Sequence, residues 1–259
     1  MKLCAFLLGF IACLAGCSAK EASDPYPSVS DFCQAWGKAA CNSTVVKVCS
    51  GMVTTSALTD ACVVKQQTFC QSHVPTAGYS SAQAQMCLDA VSSAYSNATL
   101  TGPEITTVRE FGDPCNHLIK GPAAVGDSCT QDNDCNTVNN VLCVMKSGEG
   151  TCVVPKVVPN GTDCSAPEAD CHAGFYCDSA SSSCVQARAV GKACTADFEC
   201  AEGLTCAASK CTTRVEPDMC SANTDCTTGV CDITGTDTTG ICVDEITLAR
   251  AESLCGDLR

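Results

Sequence analysis

Several things are scarce or missing in this chain of 259 residues. Histidine occurs three times, at His73, His117 and His172, and none stands in a His-x3-His or His-Glu-x-x-His frame. A zincin-type metal site therefore has no ligand set, and each histidine reads as a solvated loop residue. No Cys-x2-Cys pair is present. Beyond residue 17 the closest cysteines, Cys206/Cys211 and Cys226/Cys231, have four residues between them, which argues against zinc knuckles and a thioredoxin-like redox motif. There is no Gly-x-Ser-x-Gly elbow, phosphate-binding loop or Gly-x-Gly-x-x-Gly turn, so no nucleophile or nucleotide site is announced. Basic residues are few. Fifteen Lys and Arg face 28 Asp and Glu, for a net charge of −13, and an acidic surface repels phosphate backbones and anionic lipid headgroups, which disfavours nucleic acid as a partner. Aromatics are limited to one Trp, four Tyr and seven Phe, too few for a conventional large core throughout. The expectation is a non-enzyme with no cofactor and no metal.

What the chain has in abundance is cysteine, 27 in all. Cys4 and Cys13 lie in an apolar leader, Cys17 ends it, and 24 run from Cys33 to Cys255. Such a density marks a disulfide scaffold, and disulfides persist in the periplasm, the secretory lumen or outside cells. An even 24 allows twelve bridges.

Lys2 is followed by an uncharged, mostly apolar stretch, Leu3 to Gly16. It is too short to span a bilayer of about 30 Å as a helix, and its form is that of a signal peptide. Leu14-Ala15-Gly16-Cys17 resembles the bacterial lipobox. That resemblance implies a diacylglyceryl group on Cys17, cleavage before it, and a membrane contact made by the acyl chains alone. Ser18 in the following position resembles an outer-membrane sorting context. Residues 1–16 are thus expected to be a lipoprotein signal peptide and 17–29 a lipid-anchored flexible tether. Residues 30–100 are rich in Ala, Gln, Leu, Val and Met and read as helical. The helices are expected over Asp31–Cys49 (capped by Ser28 or Ser30), Thr59–Ser72, and Ser81–Tyr95 behind a capping box Ser80-x-x-Gln83. Residues 101–125, with Gly102-Pro103, Asp113-Pro114 and Gly121-Pro122, read as a linker, and 244–259 as a short C-terminal helix carrying Cys255.

Spacing also bears on pairing. Cys33 and Cys41 are eight positions apart, as are Cys62 and Cys70. In an antiparallel hairpin, facing positions sum to a constant, so bridges Cys33–Cys70 and Cys41–Cys62 would staple two helices. Eight positions also rotate about 80° around a helix, so the sum rule does not by itself align both pairs. The pattern resembles twin-cysteine helical hairpins, which commonly use nine intervening residues.

Residues 126–243 hold an internal repeat of four cysteines in four copies. These are Cys129, Cys135, Cys143 and Cys152; Cys164, Cys171, Cys177 and Cys184; Cys194, Cys200, Cys206 and Cys211; and Cys220, Cys226, Cys231 and Cys242. Gly126, Gly161 and Gly191 stand three residues before the first cysteine. Gly174 and Gly203 stand three before the third, with Gly229 two before it in the last copy and Asn140 in the place of glycine in the first. An acidic residue precedes the second cysteine in all four: Asp134, Asp170, Glu199 and Asp225. A module of about 20 to 25 residues has no core of its own and needs bridges. Each closes a loop of about 10 to 20 residues, for about 3 kcal/mol. Three pairings per module are possible; first-to-third with second-to-fourth is the one expected. By count, Cys49–Cys87 and Cys115–Cys255 then complete the set.

Gly191 to Cys211 resembles the Dickkopf-type N-terminal cysteine-rich module. Tandem modules of this type behind a helical cysteine-containing segment are similar to those of bacterial cysteine-rich lipoproteins. The fold class expected is small and disulfide-rich: an N-terminal α-helical stapled domain, then four loop and short-β repeats. The module pattern does not specify a function; the lipobox and the rigid disulfide array give the expectation of a non-enzymatic outer-membrane lipoprotein, facing the periplasm or the cell surface, that binds a protein or glycan ligand. The alternatives are a secreted enzyme or inhibitor with the repeats as a stalk, and a passive spacer. Asp132-Asn133-Asp134 begins like a calcium loop but has Thr137 at the sixth place and Cys143 at the twelfth, so it reads as an acidic turn. Asn42, Asn97 and Asn160 start chance glycosylation sequons.

Overall fold

A computed structural model describes residues 24–146, 148–213, 219–233, 237–249, 255, 256 and 258. The leader, Cys4, Cys13 and the lipobox Cys17 lie outside the described residues. Five α-helices come first: α1 Val29–Ala40, α2 Ser43–Ser50, α3 Ser56–His73, α4 Ala84–Ala94 and α5 Gly102–Glu110. Along α1 the buried residues are Val29, Phe32, Cys33, Trp36, Gly37 and Ala40, the three-and-four spacing of one helical face. That face packs on α3. Gly37 permits the approach, because a Cβ there would sit 2.6 Å from the Val63 carbonyl oxygen. Bridges Cys33–Cys70 and Cys41–Cys62 lie across the same contact.

The helix expected over 31–49 is two helices. Asn42 interrupts it: its side-chain oxygen accepts from Val45 N at 3.0 Å and its amide donates to the Tyr95 carbonyl at 2.9 Å. An asparagine that satisfies the first free N–H groups of a new helix stabilises a break there. Ser28 caps α1, Thr55 caps α3, and Ser80 accepts from Ala82 N in the 3-10 turn that precedes α4.

The linker expected over 101–125 is part of the helical domain. The Glu104 carboxylate accepts from both the backbone and the hydroxyl of Thr101 at 2.8 Å, which starts α5, and Pro103 sits in its first turn. Ile105, Val108, Phe111, Leu118 and Ile119 are buried in the main core with Phe32, Trp36, Val91 and Leu100. Trp36 stacks on Phe111 with ring centroids 4.4 Å apart and donates to the buried Gln66 at 3.4 Å. The described end of the expected tether is also fixed. Asp24 accepts from the Ser81 hydroxyl and from Tyr26 N, and Tyr79 donates to the Tyr26 carbonyl.

Among the described residues, thirteen short strands form six small sheets. Strand β1 (Thr99–Thr101) belongs to the helical domain and pairs with the last strand, β13 (Glu245–Thr247). The first module holds β2 (Ser128–Cys129), β3 (Leu142–Lys146) and β4 (Glu149–Val153) in the order β2-β4-β3. The second holds β5 (Lys156–Val158) parallel to β6 (Ala169–Cys171), then the hairpin β7 (Phe175–Asp178) and β8 (Ser183–Gln186). The third is the hairpin β9 (Leu204–Ala207) and β10 (Lys210–Thr213), and the fourth is β11 (Cys231–Asp232) with β12 (Ile241–Cys242).

The strand β13 stands where a helix over 244–258 was expected; among the described residues of that segment only Cys255, Gly256 and Leu258 are helical. The edge of β1 is the reason. Its Leu100 faces Ile246, and both are buried with Leu248 in the main core. Val230 of the fourth module joins the same core, and Gly102 at the start of α5 lies against Thr228 and Gly229 so closely that a Cβ would meet the Thr228 oxygen at 2.2 Å. At the other end of the array, Thr137 of the first module exchanges hydrogen bonds with the backbone of Ile119. Both ends of the repeat array therefore dock on the helical domain.

This return overturns two expected bridges. Cys49 is bonded to Cys255, not Cys87, and Cys115 to Cys87, not Cys255. Cys87 on α4 lies 4.6 Å, Cα to Cα, from Cys115 just beyond α5, and Cys49 at the end of α2 lies 5.0 Å from the returning chain end.

Candidate functional site

Each module is built around its hairpin. The third and fourth cysteines sit directly opposite one another: Cys143 and Cys152, Cys177 and Cys184, Cys206 and Cys211, Cys231 and Cys242. They are not bonded to each other. The first cysteine bonds to the third, in Cys129–Cys143, Cys164–Cys177, Cys194–Cys206 and Cys220–Cys231. The second bonds to the fourth, in Cys135–Cys152, Cys171–Cys184, Cys200–Cys211 and Cys226–Cys242. The module sulfurs that cluster within 4.8 Å belong to these crossed bridges, and a sulfur in a disulfide is not the thiolate that binds metal.

The repeated glycines serve backbone geometry. Gly126, Gly161 and Gly191 have positive φ and donate to the carbonyls of the fourth cysteines Cys152, Cys184 and Cys211 at 2.7–2.8 Å. Asn140, Gly174 and Gly203, three before the third cysteine, also have positive φ, and asparagine is one of the few other residues that tolerates that region.

The acidic residue before the second cysteine has a mechanical task the sequence reading did not assign. Asp134 accepts from the Thr130 N–H and hydroxyl at 2.8 Å, and Asp225 accepts from Ser221 N at 2.7 Å, its hydroxyl at 2.9 Å and Ala222 N at 3.0 Å. Glu199 accepts from the hydroxyl and N–H of Thr195. Two residues earlier, Asp132, Asp197 and Asn223 accept from the N–H of the third cysteines Cys143, Cys206 and Cys231 at 2.7–2.9 Å. The calcium-like run Asp132-Asn133-Asp134 is therefore a pair of backbone clamps. Hydrogen bonds from Thr130 hold Asp134 below the ordinary carboxylate range. Those from Ser221 do the same for Asp225, and the Thr195 hydroxyl for Glu199. The signal in sequence was Cys-(Ser/Thr)-x-(Asp/Asn)-x-(Asp/Glu)-Cys in modules one, three and four.

The histidines separate. His172 is exposed. His73 ends α3 and stacks on Phe111 with centroids 5.5 Å apart. His117 is not a solvated loop residue: its side chain is 17% exposed, with Nδ1 2.8 Å from the Thr137 carbonyl and Nε2 3.1 Å from Asp113. Both ring nitrogens face acceptors, which ties the helical domain to the first module and leaves neither nitrogen for a nucleophile. Of the sequons, Asn42 is committed to its helix cap, whereas Asn97 and Asn160 are exposed. A cavity of about 190 Å³ opens between the end of α3 and the first module, lined by His73, Phe111, Asn116 and Asn133. The side-chain oxygen of Asn116 is buried without a partner.

Among the described residues no helix is long and apolar enough to cross a membrane. No solved structure matches the chain. A stretch of 85 residues, 32% of the chain, is 32% identical to the cell-cell adhesion glycoprotein 64 of Heterostelium pallidum, and it spans about a quarter of that protein's length. Residues 163–212 match the family of the Dickkopf N-terminal cysteine-rich region. The matched segment contains the second and third modules, Cys164 to Cys211, so the unit of that family corresponds to two of the four-cysteine repeats and not to one. In its second and third modules the chain is similar to the Dickkopf N-terminal cysteine-rich region.

Proposed function

We propose that this chain is a non-enzymatic, extracellular recognition module that binds a protein or glycan ligand, anchored at the outer membrane through lipid on Cys17. The observation that carries the reading is the completeness of the framework. All 24 cysteines from Cys33 to Cys255 are bonded, in twelve bridges. Such a framework needs an oxidising compartment, and it presents surfaces already ordered before a partner arrives, which lowers the entropy lost on binding. The partial likeness to an adhesion glycoprotein agrees with that use. Docking of both ends of the array on the helical domain favours recognition over an extended stalk.

Two measurements test the proposal. Intact mass of the native protein without reductant should show an acylated Cys17 and the loss of 24 hydrogens; a free amino terminus at another residue removes the anchor, and multiple free thiols remove the oxidised scaffold. Proximity labelling on the native cell should enrich one dominant partner. Labelling no stronger than that of unrelated envelope proteins would leave the spacer reading in its place.

A further inference from the structure

The second and third modules each depart from the other copies at one place, and both departures face one groove. Modules one, three and four place five residues between the first and second cysteines; the second places six, Ser165 to Asp170. The others form a 3-10 turn there, at Asp132–Asp134, Asp197–Glu199 and Asn223–Asp225, whereas the second forms strand β6. Counted back from the second cysteine, Glu168 and Asp170 occupy the places where Asp132 and Asp134 act as clamps. With a turn at Ala166–Glu168 leading into β6, neither carboxylate makes the clamp bonds of the other modules. Asp163 takes over the cap by accepting from Ser165 N at 2.8 Å. Among the described residues neither the Glu168 nor the Asp170 carboxylate has a hydrogen-bond or ion-pair partner, and both are exposed. Glu168 closes the turn that starts at Ala166 and Asp170 lies in β6, yet both line the same groove.

The groove they line has a volume of about 440 Å³, with Phe175, Tyr176 and Phe198 in its walls. Phe198 is the second departure. Its counterparts are Asn133 and Thr224, yet here a phenylalanine is 66% exposed, edge-on to Tyr176 at 6.1 Å. The buried Tyr176 of this wall already takes a guanidinium from the chain itself. Arg188 lies 5.7 Å from the Tyr176 ring centre and donates to its hydroxyl at 2.8 Å, with its charge answered by Glu199 at 3.4 Å. Lys146, also in the lining, is turned to the carbonyls of Cys164 and Ala166, so it does not answer Glu168 or Asp170.

We propose that this groove is the docking site for an arginine-bearing segment of a partner protein, its guanidinium held between the Glu168 and Asp170 carboxylates and the exposed ring of Phe198. Arginine fits better than lysine, because a planar guanidinium can stack on a ring and present paired N–H donors to carboxylates at once. Arginine is also among the side chains that most often anchor an interface when seated in a pocket. The inference rests on the recognition reading above and names the chemistry of its partner.

The test selects randomised short peptides displayed on phage against the oxidised full chain, then measures synthetic copies of the enriched sequences by calorimetry. Enriched peptides should carry arginine beside an apolar residue. Replacing that arginine with citrulline, Glu168→Gln with Asp170→Asn, or Phe198→Ala should each weaken binding by about tenfold or more, and salt should weaken the parent peptide. Each variant should keep twelve bridges by mass and its melting temperature, since the altered side chains are exposed. Peptides that lack a cation, that bind the citrulline form equally, or that ignore the three substitutions overturn the proposal, as does a selection that enriches nothing. If proximity labelling finds a dominant partner whose capture these variants do not change, the groove is refuted while recognition stands; absence of any partner refutes recognition itself.

Discussion

The bridge Cys49–Cys255 joins positions 206 residues apart, and its removal should be the most damaging single loss of a disulfide. The perturbation is the double variant Cys49→Ser/Cys255→Ser, which leaves no free thiol to exchange. A bridge acts chiefly by limiting the unfolded chain, with an entropy that grows as the logarithm of the loop it closes. The other bridges shorten that loop. The shortest path from Cys49 to Cys255 through them still contains about 120 residues, for about 5 kcal/mol. A module bridge such as Cys200–Cys211, separation 11, closes a loop worth about 3 kcal/mol. The native state should change little, because β1–β13 pairing and the buried Ile246 and Leu248 hold the chain end in place. In a chain of this size, about 5 kcal/mol corresponds to a fall in melting temperature of about 10–20 °C. The assay is thermal unfolding without reductant, with disulfide mapping of the wild type by mass spectrometry. A variant that melts within about 3 °C of wild type, or a map that joins Cys49 to Cys87, would refute the reasoning.

Other outcomes follow from the helical domain and the clamps. Trp36→Ala should destabilise by about 3–5 kcal/mol through loss of the Phe111 stack and a cavity, read by chemical denaturation. Gly37→Val should destabilise by about 1–3 kcal/mol, because its Cβ would meet the Val63 carbonyl and force α1 from α3; a change below about 0.5 kcal/mol would contradict the close approach. The clamps Asp134, Glu199 and Asp225 have carboxyls lowered by hydrogen bonds. A folded value below the unfolded one means the stabilisation is fully present above the ordinary carboxylate range and is lost as pH falls through that range and then through the lower folded values. Melting temperature should therefore drop on acidification, and Asp134→Asn with Asp225→Asn should flatten that drop; an unchanged acid limb would contradict the clamp role.

The parts legible in sequence are those fixed by neighbours. The repeat, its glycines and Asn140 were visible because a hairpin with positive φ at set places leaves a local trace. So was the arithmetic linking Cys33 to Cys70 and Cys41 to Cys62. The clamps were half visible: the acidic position stood out, but its partners are backbone N–H groups that no residue type announces. Thr101-x-x-Glu104 is masked in the sequence because Gly102-Pro103 reads as a turn, although proline suits the first turn of a helix. The break at Asn42 was hidden in a stretch of otherwise good helix formers.

Composition and spacing by themselves determined that this protein is a disulfide scaffold with a helical part and four four-cysteine modules, since so many cysteines at repeating short intervals mark small units that need bridges. Tertiary structure alone decided the partners of Cys49, Cys87, Cys115 and Cys255, and with them the closure of the array on the helical domain. Those choices depend on where the chain end returns, which is set by burial of Leu100, Val230, Ile246 and Leu248 in one core. Residues so distant in sequence have no spacing that relates them, and only packing brings them together.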